Sequence, residues 1–466
     1  VSAPAPLVAL SEIVDVDAWL VGGALRDRLL GRSTADFDVA AVGEVRAFAK
    51  ALARRTRAHV FPLSEGFGSW RVMARDRSWQ VDLLPLVGES IESDLAKRDF
   101  TVNAIAEPLR GGGYVDPFGG LRDLENRRLR MVSAAAFAND PLRTIRLARL
   151  ACELSFDPEP ETVAAAREHA RGLDSVAPER IFAELKRIIS ADRALQGLEV
   201  MDRAGATQVV LPELVELRGV EQSPYHHLDV YEHTRAVLGE TIELERDPGR
   251  WFGPTGEEIS RLLSEPFASE LTRGQALRFG ALLHDIAKPQ TRRVTSTGRV
   301  TFMGHDDAGA AASVAILGRL RASERLGQYV AALTRHHLRL GFLVHEMPLG
   351  RRAIYDYLRA CDPVQVDVTL LSVADRLATR GRGSEEAIAK HLELARQLLA
   401  DALAWRAAPP RSPIRGDDLA RTLALRPGPE LGRLLAELEA ASFAGEISGR
   451  DQAIERAREF IGRGAV

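Results

Sequence analysis

Asp36 and Asp38 are separated by one residue, and the segment Val21-Gly22-Gly23-Ala24-Leu25-Arg26-Asp27 precedes them. In a strand, side chains two positions apart share a face, so an extended 36–42 puts both carboxylates where they can hold the same divalent cations. The apolar run 18–21 stops at the glycines and 24–30 has helical character, so Gly22 and Gly23 mark a strand turning into a helix. Backbone N–H groups at such a helix start can hold a triphosphate. Cations beside it would activate an attacking hydroxyl and stabilise a leaving pyrophosphate, which is the chemistry of metal-dependent nucleotidyl transfer. A third carboxylate is sought on a neighbouring strand, and Asp82 in Trp79-Gln80-Val81-Asp82-Leu83 is the candidate. A lone Asp-x-Asp also arises in surface turns, so the pair gains its meaning from the motifs around it.

Two further segments offer donors and acceptors to a nucleotide. Lys97-Arg98-Asp99-Phe100-Thr101-Val102-Asn103-Ala104 sets a charged triplet ahead of Asn103, suited to a ribose hydroxyl or a phosphate. Read blandly, it is a helix start capped by Asp99 or Thr101. Asn139-Asp140-Pro141-Leu142-Arg143 opens a helix with Pro141 in its first turn. Asp140 and Arg143 lie three apart on that helix and can face a base edge together, or simply form an intrahelical ion pair.

These motifs need elements to position them. Up to about residue 132, short β-rich runs (18–21, 36–42, 70–74, 79–84) alternate with helical stretches and Gly/Pro turns, an α/β pattern. From Asp140 onward the pattern is almost wholly helical. The 466 residues exceed one compact core, and the breaks divide them into a mixed-sheet head (1–132), a helical neck (133–222), a histidine-bearing helical body (223–408) and a helical tail (409–466). Residues 246–269, rich in Pro and Gly, read as a loop or insertion.

Composition limits the options. With 45% hydrophobic and 27% charged residues the chain is ordinary for a globular protein, and Cys152 and Cys361, its only cysteines, suggest neither a disulfide framework nor a thiolate metal site. A reducing cytoplasm fits. Residues 1–6 lack a basic region before an apolar core, and no apolar run approaches the ~20 residues that cross a bilayer, so neither secretion nor membrane insertion is expected. A net charge of −3 makes bulk electrostatic binding of a polyanion unfavourable, so nucleic acid would be met by local arginines such as Arg122, Arg127, Arg128 and Arg130, or Arg143, Arg146 and Arg149.

Gly22-Gly23-x-x-Arg26-Asp27, Asp36-x-Asp38, Arg98-Asp99-Phe100-Thr101-x-Asn103-Ala104 and Asp140-Pro141-Leu142-Arg143-x-x-Arg146 occur in an order that resembles the class II CCA-adding tRNA nucleotidyltransferase and bacterial poly(A) polymerase family. The resemblance implies Mg²⁺ at Asp36 and Asp38, ribonucleotide selection by Arg98, Asp99 and Asn103, and base reading by Asp140 and Arg143. It also implies RNA or nucleobase binding by the neck (133–222), and tRNA, ATP and CTP as partners, with no obligate protein partner evident. The chain departs from the family's pattern in three places. Asn139 stands where an acidic residue is usual, Lys97 where a first arginine is common, and the strand at Asp82 lacks a Thr-Phe-Arg ending.

His233, the pair His284-Asp285, and Asp375 resemble the H…HD…D ligand set of HD-domain phosphohydrolases, a set suited to a divalent metal of unspecified identity. His305 and His336 lie between the pair and Asp375 and are candidates to complete a second site. His226, His227 and His337 each adjoin a better-placed neighbour and rank lower. The tail segment from Ile414 to Gly432 resembles the family's tRNA-contacting end. The expected activity is template-independent addition of CMP and AMP to the tRNA 3′ end with an HD-domain phosphohydrolase activity beside it. An A-adding, CC-adding or poly(A) polymerase on the same scaffold is the near alternative. An HD phosphohydrolase with a relict head, or a non-catalytic RNA-binding module, are those of other classes.

Overall fold

A computed structural model describes the chain over residues 4–64, 66–222, 228–380 and 384–462, and His226 and His227 lie outside that range. It separates into two compact units, 1–210 and 211–466. The mixed-sheet head followed by helical modules, expected from the sequence, is what the chain adopts.

In the first unit six strands, β1 (Ala18–Val21), β2 (Asp36–Ala41), β3 (His59–Ser64), β4 (Ser69–Met73), β5 (Gln80–Pro85) and β6 (Ala106–Pro108), form one sheet in the order β3-β4-β5-β2-β1-β6. β2 runs parallel to β5 and antiparallel to β1. Its alternation is legible in burial: Phe37 and Val39 are buried while Asp36 is exposed and Asp38 half-buried. Register then aligns one row across the sheet, with Val21 beside Asp38, Asp38 beside Asp82, and Asp82 opposite Arg71. An apolar cluster of Val21, Ala40, Ile91, Leu95, Ala104 and Ala106 supports it. The turn out of β1 enters the helix Gly22–Leu29 directly.

Helix Arg143–Leu154 follows, its Arg149 buried and its C-terminus closed by Ser155 in the left-handed region. The spacing of Arg143, Arg146 and Arg149 suggests an arginine surface, but the stripe turns inward. Arg146 reaches Asp99, and Arg149 reaches Glu184 of helix Pro178–Ser190 at 2.5 Å.

The second unit is built around helices Val230–Arg246, Arg273–Leu283, His305–Arg319, Glu324–His336 and Gln365–Ala378. Residues 246–269 are not the loop that their Pro and Gly content predicts. Helices Pro248–Phe252 and Gly256–Leu263 occupy them, because Pro248 sits in a first turn capped by Asp247 and a Cβ at Gly256 would fall 2.5 Å from the Gly249 backbone. The tail helices Gly416–Leu423, Pro429–Phe443 and Arg450–Gly462 have their own apolar core around Leu434 and Leu438. Arg352 holds them to helix Arg351–Ala360 through Glu437 and Glu446. Among the described residues no helix is long and apolar enough to cross a membrane.

Candidate active site and metal centre

Gly22 follows β1 with φ of 74°, a left-handed conformation that disfavours a side chain. Space is the second constraint. A Cβ there would stand 3.0 Å from Arg98 Nη1 and 3.2 Å from Asp38 Oδ2, so the glycine keeps open the gap between turn and carboxylate. A cavity of 310 Å³ opens at this gap, lined by Gly22, Gly23, Asp38, Lys97, Arg98, Asp99, Asn103, Asp140, Leu142, Arg143, Arg146 and Arg180. Most of the residues singled out in sequence thus share one wall. Arg26 stands behind it, while Asp36 and Asp82 flank Asp38 along and across the sheet.

Electrostatics at Asp38 favour a cation. Burial raises its pKa, the neighbouring Asp82 and Asp36 raise it further, and Arg98 and Arg71 oppose them. Carboxylates crowded this way ionise together only when positive charge is supplied, and hard oxygen ligands suit Mg²⁺. The donor set therefore fits the cations expected at Asp36 and Asp38. Asp82 is engaged differently, both of its oxygens accepting from Arg71 at 2.6 and 2.7 Å.

Behind the cavity runs a chain of charged hydrogen bonds. Arg26 Nη1 donates to Asn103 Oδ1 at 2.7 Å, Asn103 Nδ2 donates to Asp99 Oδ1 at 2.9 Å, and Arg146 donates twice to Asp99 Oδ2 at 3.0 and 2.6 Å. Burial alone would raise Asp99, but Arg146 and these hydrogen bonds bring it down to about 2 from 3.8. A carboxylate whose folded pKa is depressed contributes stability that is present above its unfolded pKa and lost as pH falls through the folded value. Asp99 should thus contribute roughly 2 kcal/mol at neutral pH that disappears between about pH 4 and pH 2. Urea unfolding of wild type and Asp99→Asn across this range should show a gap that closes on acidification. A gap constant with pH would assign the loss to packing.

The base-reading candidates are also tied down. Arg143 donates from Nη1 to the carbonyls of Arg98 and Ala136 and from Nη2 to that of Lys97, which uses three of a guanidinium's five donors. Asp140 Oδ1 accepts from Leu142 N in the turn before the helix, while Oδ2 faces Arg180 at 3.3 Å. Arg180, Glu184, Arg71 and Asp94, which pairs with Arg98 at 2.9 Å, were not singled out from sequence. Arg180 and Glu184 share a four-residue spacing on one amphipathic helix, and Asp94 and Arg98 are likewise four apart, whereas Arg71 has no such local signal.

In the second unit the histidines converge. His233, His284 and Asp375 form one group, and Asp285, His305 and His337 a second. Asp285 faces both groups: Oδ2 lies 3.1 Å from His284 Nε2 and 3.7 Å from His233 Nε2, and Oδ1 lies 3.4 Å from His305 Nε2 and 3.8 Å from His337 Nε2. His233 Nε2 is 3.0 Å from Asp375 Oδ1. Two ligands about 2.1 Å from one metal are spaced ~3.0–3.4 Å apart at tetrahedral or right angles, so the spacing fits. The rings are pre-set as well. His284, His305 and His337 each place Nδ1 against a main-chain carbonyl three residues earlier, at 2.9, 2.7 and 2.6 Å. A carbonyl only accepts, so Nδ1 carries the proton and Nε2 is turned to the cluster. Burial lowers His284 but Asp285 more than offsets it, while burial and His284 bring His337 down to about 4.

One assignment needs correction. His336 was expected in the second site, but it accepts a hydrogen bond from Arg339 Nε on a half-exposed face, and His337 is the buried neighbour of Asp285. Adjacent helical residues point about 100° apart, so a cluster of two histidines in sequence cannot reveal which one faces inward. Lys288 lies 2.7 Å from both Asp285 Oδ2 and Gln222 Oε1.

A nucleotide-sized cleft over an Asp-x-Asp strand, joined in one chain to a histidine–aspartate cluster, defines a nucleotidyltransferase carrying an HD domain. Residues 18–86 and 84–130 match the poly(A) polymerase head domain, 155–217 a probable RNA and SrmB-binding site of polymerase A, and 230–380 the HD domain. The chain is 36% identical over 455 residues to an A-adding tRNA nucleotidyltransferase of Deinococcus radiodurans, covering 96% of this chain and 95% of that one. It is 33% identical to a CC-adding tRNA nucleotidyltransferase of Thermus thermophilus (94% and 92% covered) and 34% identical to a multifunctional CCA protein of Xanthomonas campestris (91% and 98%). A Thermotoga maritima CCA-adding enzyme solved with tRNA shares the fold at a TM-score of 0.63 and 18% identity, over 98% of this chain and 94% of that one. The chain belongs to the tRNA nucleotidyltransferase and poly(A) polymerase family, and it is a nucleotidyltransferase enzyme.

Proposed function

We propose that the chain adds CMP and AMP to the 3′ end of tRNA without a template, from CTP and ATP, with Asp36 and Asp38 holding Mg²⁺. The supporting observation is the shared cavity, where the Gly22 turn, Asp38, the Arg98–Asn103 segment and the Asp140–Arg143 helix start meet. Bound Mg²⁺ would activate the attacking 3′ hydroxyl and offset charge on the leaving pyrophosphate. The chain's own groups do the rest. Gly22 and Gly23 leave room for the triphosphate, Arg98 supplies positive charge beside Asp38, and Asp99 and Asn103 address the ribose. Asp140 and Arg143 address the base. Recognition of tRNA rests on its shape and phosphates, since an RNA duplex shows side chains little of its sequence, and binding should weaken with salt.

Relatives of near-equal identity are named for A addition, CC addition and multifunctional CCA work, so the range of bases added must be measured. Transcripts of tRNA ending before the first C, after the second C and after the terminal A, offered each NTP singly and together and then sequenced, test the proposal. Addition of only C or only A would reduce it to that activity. Arg143→Ala should cut the preference for the correct NTP roughly tenfold, because an incorrect base cannot use the lost donors. Unchanged preference with a lower melting temperature would confine Arg143 to its three carbonyl contacts.

We further propose that the histidine–aspartate cluster is a divalent-metal phosphohydrolase site, held by His233, His284, Asp285 and Asp375 with His305 and His337. A bound metal would supply Lewis acidity toward a phosphoester and a water acidified toward neutral pH. The spacing of Nε2 and carboxylate atoms supports it.

A further inference from the structure

Asp82 stands level with Asp38 on the adjacent parallel strand, a position from which a third carboxylate would join the same cation. Each of its oxygens already accepts a hydrogen bond from an arginine. Arg71, directly opposite on β4, donates from Nε to Oδ1 at 2.6 Å and from Nη2 to Oδ2 at 2.7 Å. This is the two-pronged geometry in which a guanidinium matches a carboxylate best, and arginine does not lose its proton in proteins, so raising the pH does not release the pair. The setting strengthens it: the Asp82 side chain is 12% exposed and that of Arg71 27%. Of the other positive charges nearby, Arg98 is shared with Asp94. Arg71 is therefore the fixed counter-charge for a row that otherwise sets Asp36, Asp38 and Asp82 together.

We infer that Arg71 is a positioning residue that withdraws Asp82 from cation binding, leaving Asp36 and Asp38 to hold the cations and setting the affinity with which they do so. The inference rests on the cation site proposed at Asp36 and Asp38. Removing Arg71 takes away one positive charge and frees one carboxylate, and both changes favour a divalent cation, whose affinity follows the number and charge of its oxygen ligands. Asp82 then acts through the sheet: neutralised, it keeps Arg71 in place, and unneutralised, it competes for the cation.

Mn²⁺ binding to the full-length, nucleotide-free chain, read from the loss of the free-ion electron paramagnetic resonance signal, tests this. Every variant carries Asp285→Asn, so the histidine cluster contributes equally to all. Arg71→Gln and Arg71→Ala should each tighten Mn²⁺ binding at the head roughly tenfold. Adding Asp82→Asn to either should return the affinity to that of the parent, and Asp82→Asn alone should move it less than about threefold. In nucleotide addition, Arg71→Gln should lower the Mg²⁺ concentration giving half-maximal rate. Arg71→Gln, which keeps a neutral donor beside Asp82, serves if Arg71→Ala fails to fold. Unchanged or weaker Mn²⁺ binding in folded Arg71→Gln would overturn the inference, as would Asp82→Asn weakening it as much as Asp38→Asn. If Asp38→Asn itself leaves Mn²⁺ binding at the parent level, the failure lies in the cation site and not in the role of Arg71.

Discussion

Asp38→Ala should eliminate nucleotide incorporation, with a rate loss on the order of 10³-fold or more, while tRNA binding persists. Cation stabilisation of developing charge is worth several kcal/mol, and each 1.36 kcal/mol is tenfold in rate. Asp38 is the carboxylate that faces both the Gly22 gap and the cavity, so its loss removes the cation without touching the arginines. Asp36→Ala should behave in the same way. Asp82→Ala should cost less, because its oxygens are committed to Arg71. Primer-extension rates under single turnover and filter binding of tRNA separate the two effects. Full incorporation by Asp38→Ala would end the two-carboxylate reading, and loss of tRNA binding alongside activity would point to misfolding.

Asp285→Asn should abolish metal-stimulated hydrolysis of a phosphoester at the HD cluster, again on the order of 10³-fold, and leave nucleotide addition intact. The residue carries more than its neighbours do, since its two oxygens face separate histidine groups. Asparagine is the better probe than alanine. Either change removes one partner of a buried ion pair, at about 3–5 kcal/mol, but the amide oxygen of asparagine still accepts from Lys288, which with His284 lies against this carboxylate. Elemental analysis of purified protein should find a metal in wild type and less in Asp285→Asn. Hydrolysis of 2′,3′-cyclic and terminal phosphates with nickel, cobalt and manganese identifies the activity, since imidazole ligands favour such ions over magnesium. The reciprocal holds for Asp38→Ala, which should hydrolyse normally. No bound metal and no hydrolysis under any of these ions would leave the HD fold as scaffold, with nucleotide addition as the chain's chemistry.

Sequence by itself determined the motif positions and the class of chemistry. Asp36 and Asp38 were legible because strand periodicity is local, and Gly22 because a turn between strand and helix announces itself in residue type. The order of head, helical modules and histidine body was legible for the same reason. Local rules failed where the answer depends on which way a side chain turns. The arginines at 143, 146 and 149 have the spacing of a surface stripe, yet Asp99 and Glu184 draw two of them inward, and only the packing of helix Pro178–Ser190 supplies Glu184. His336 and His337 are indistinguishable by type, and the docking of their helix end against Asp285 selects the second. Residues 246–269 carry the composition of a loop, but Asp247 and Gly256 let two short helices form. Asp82 and Arg71, eleven residues apart, became partners through sheet register. Cross-strand pairing is a non-local contact, and no periodicity along one strand encodes which residue will lie opposite.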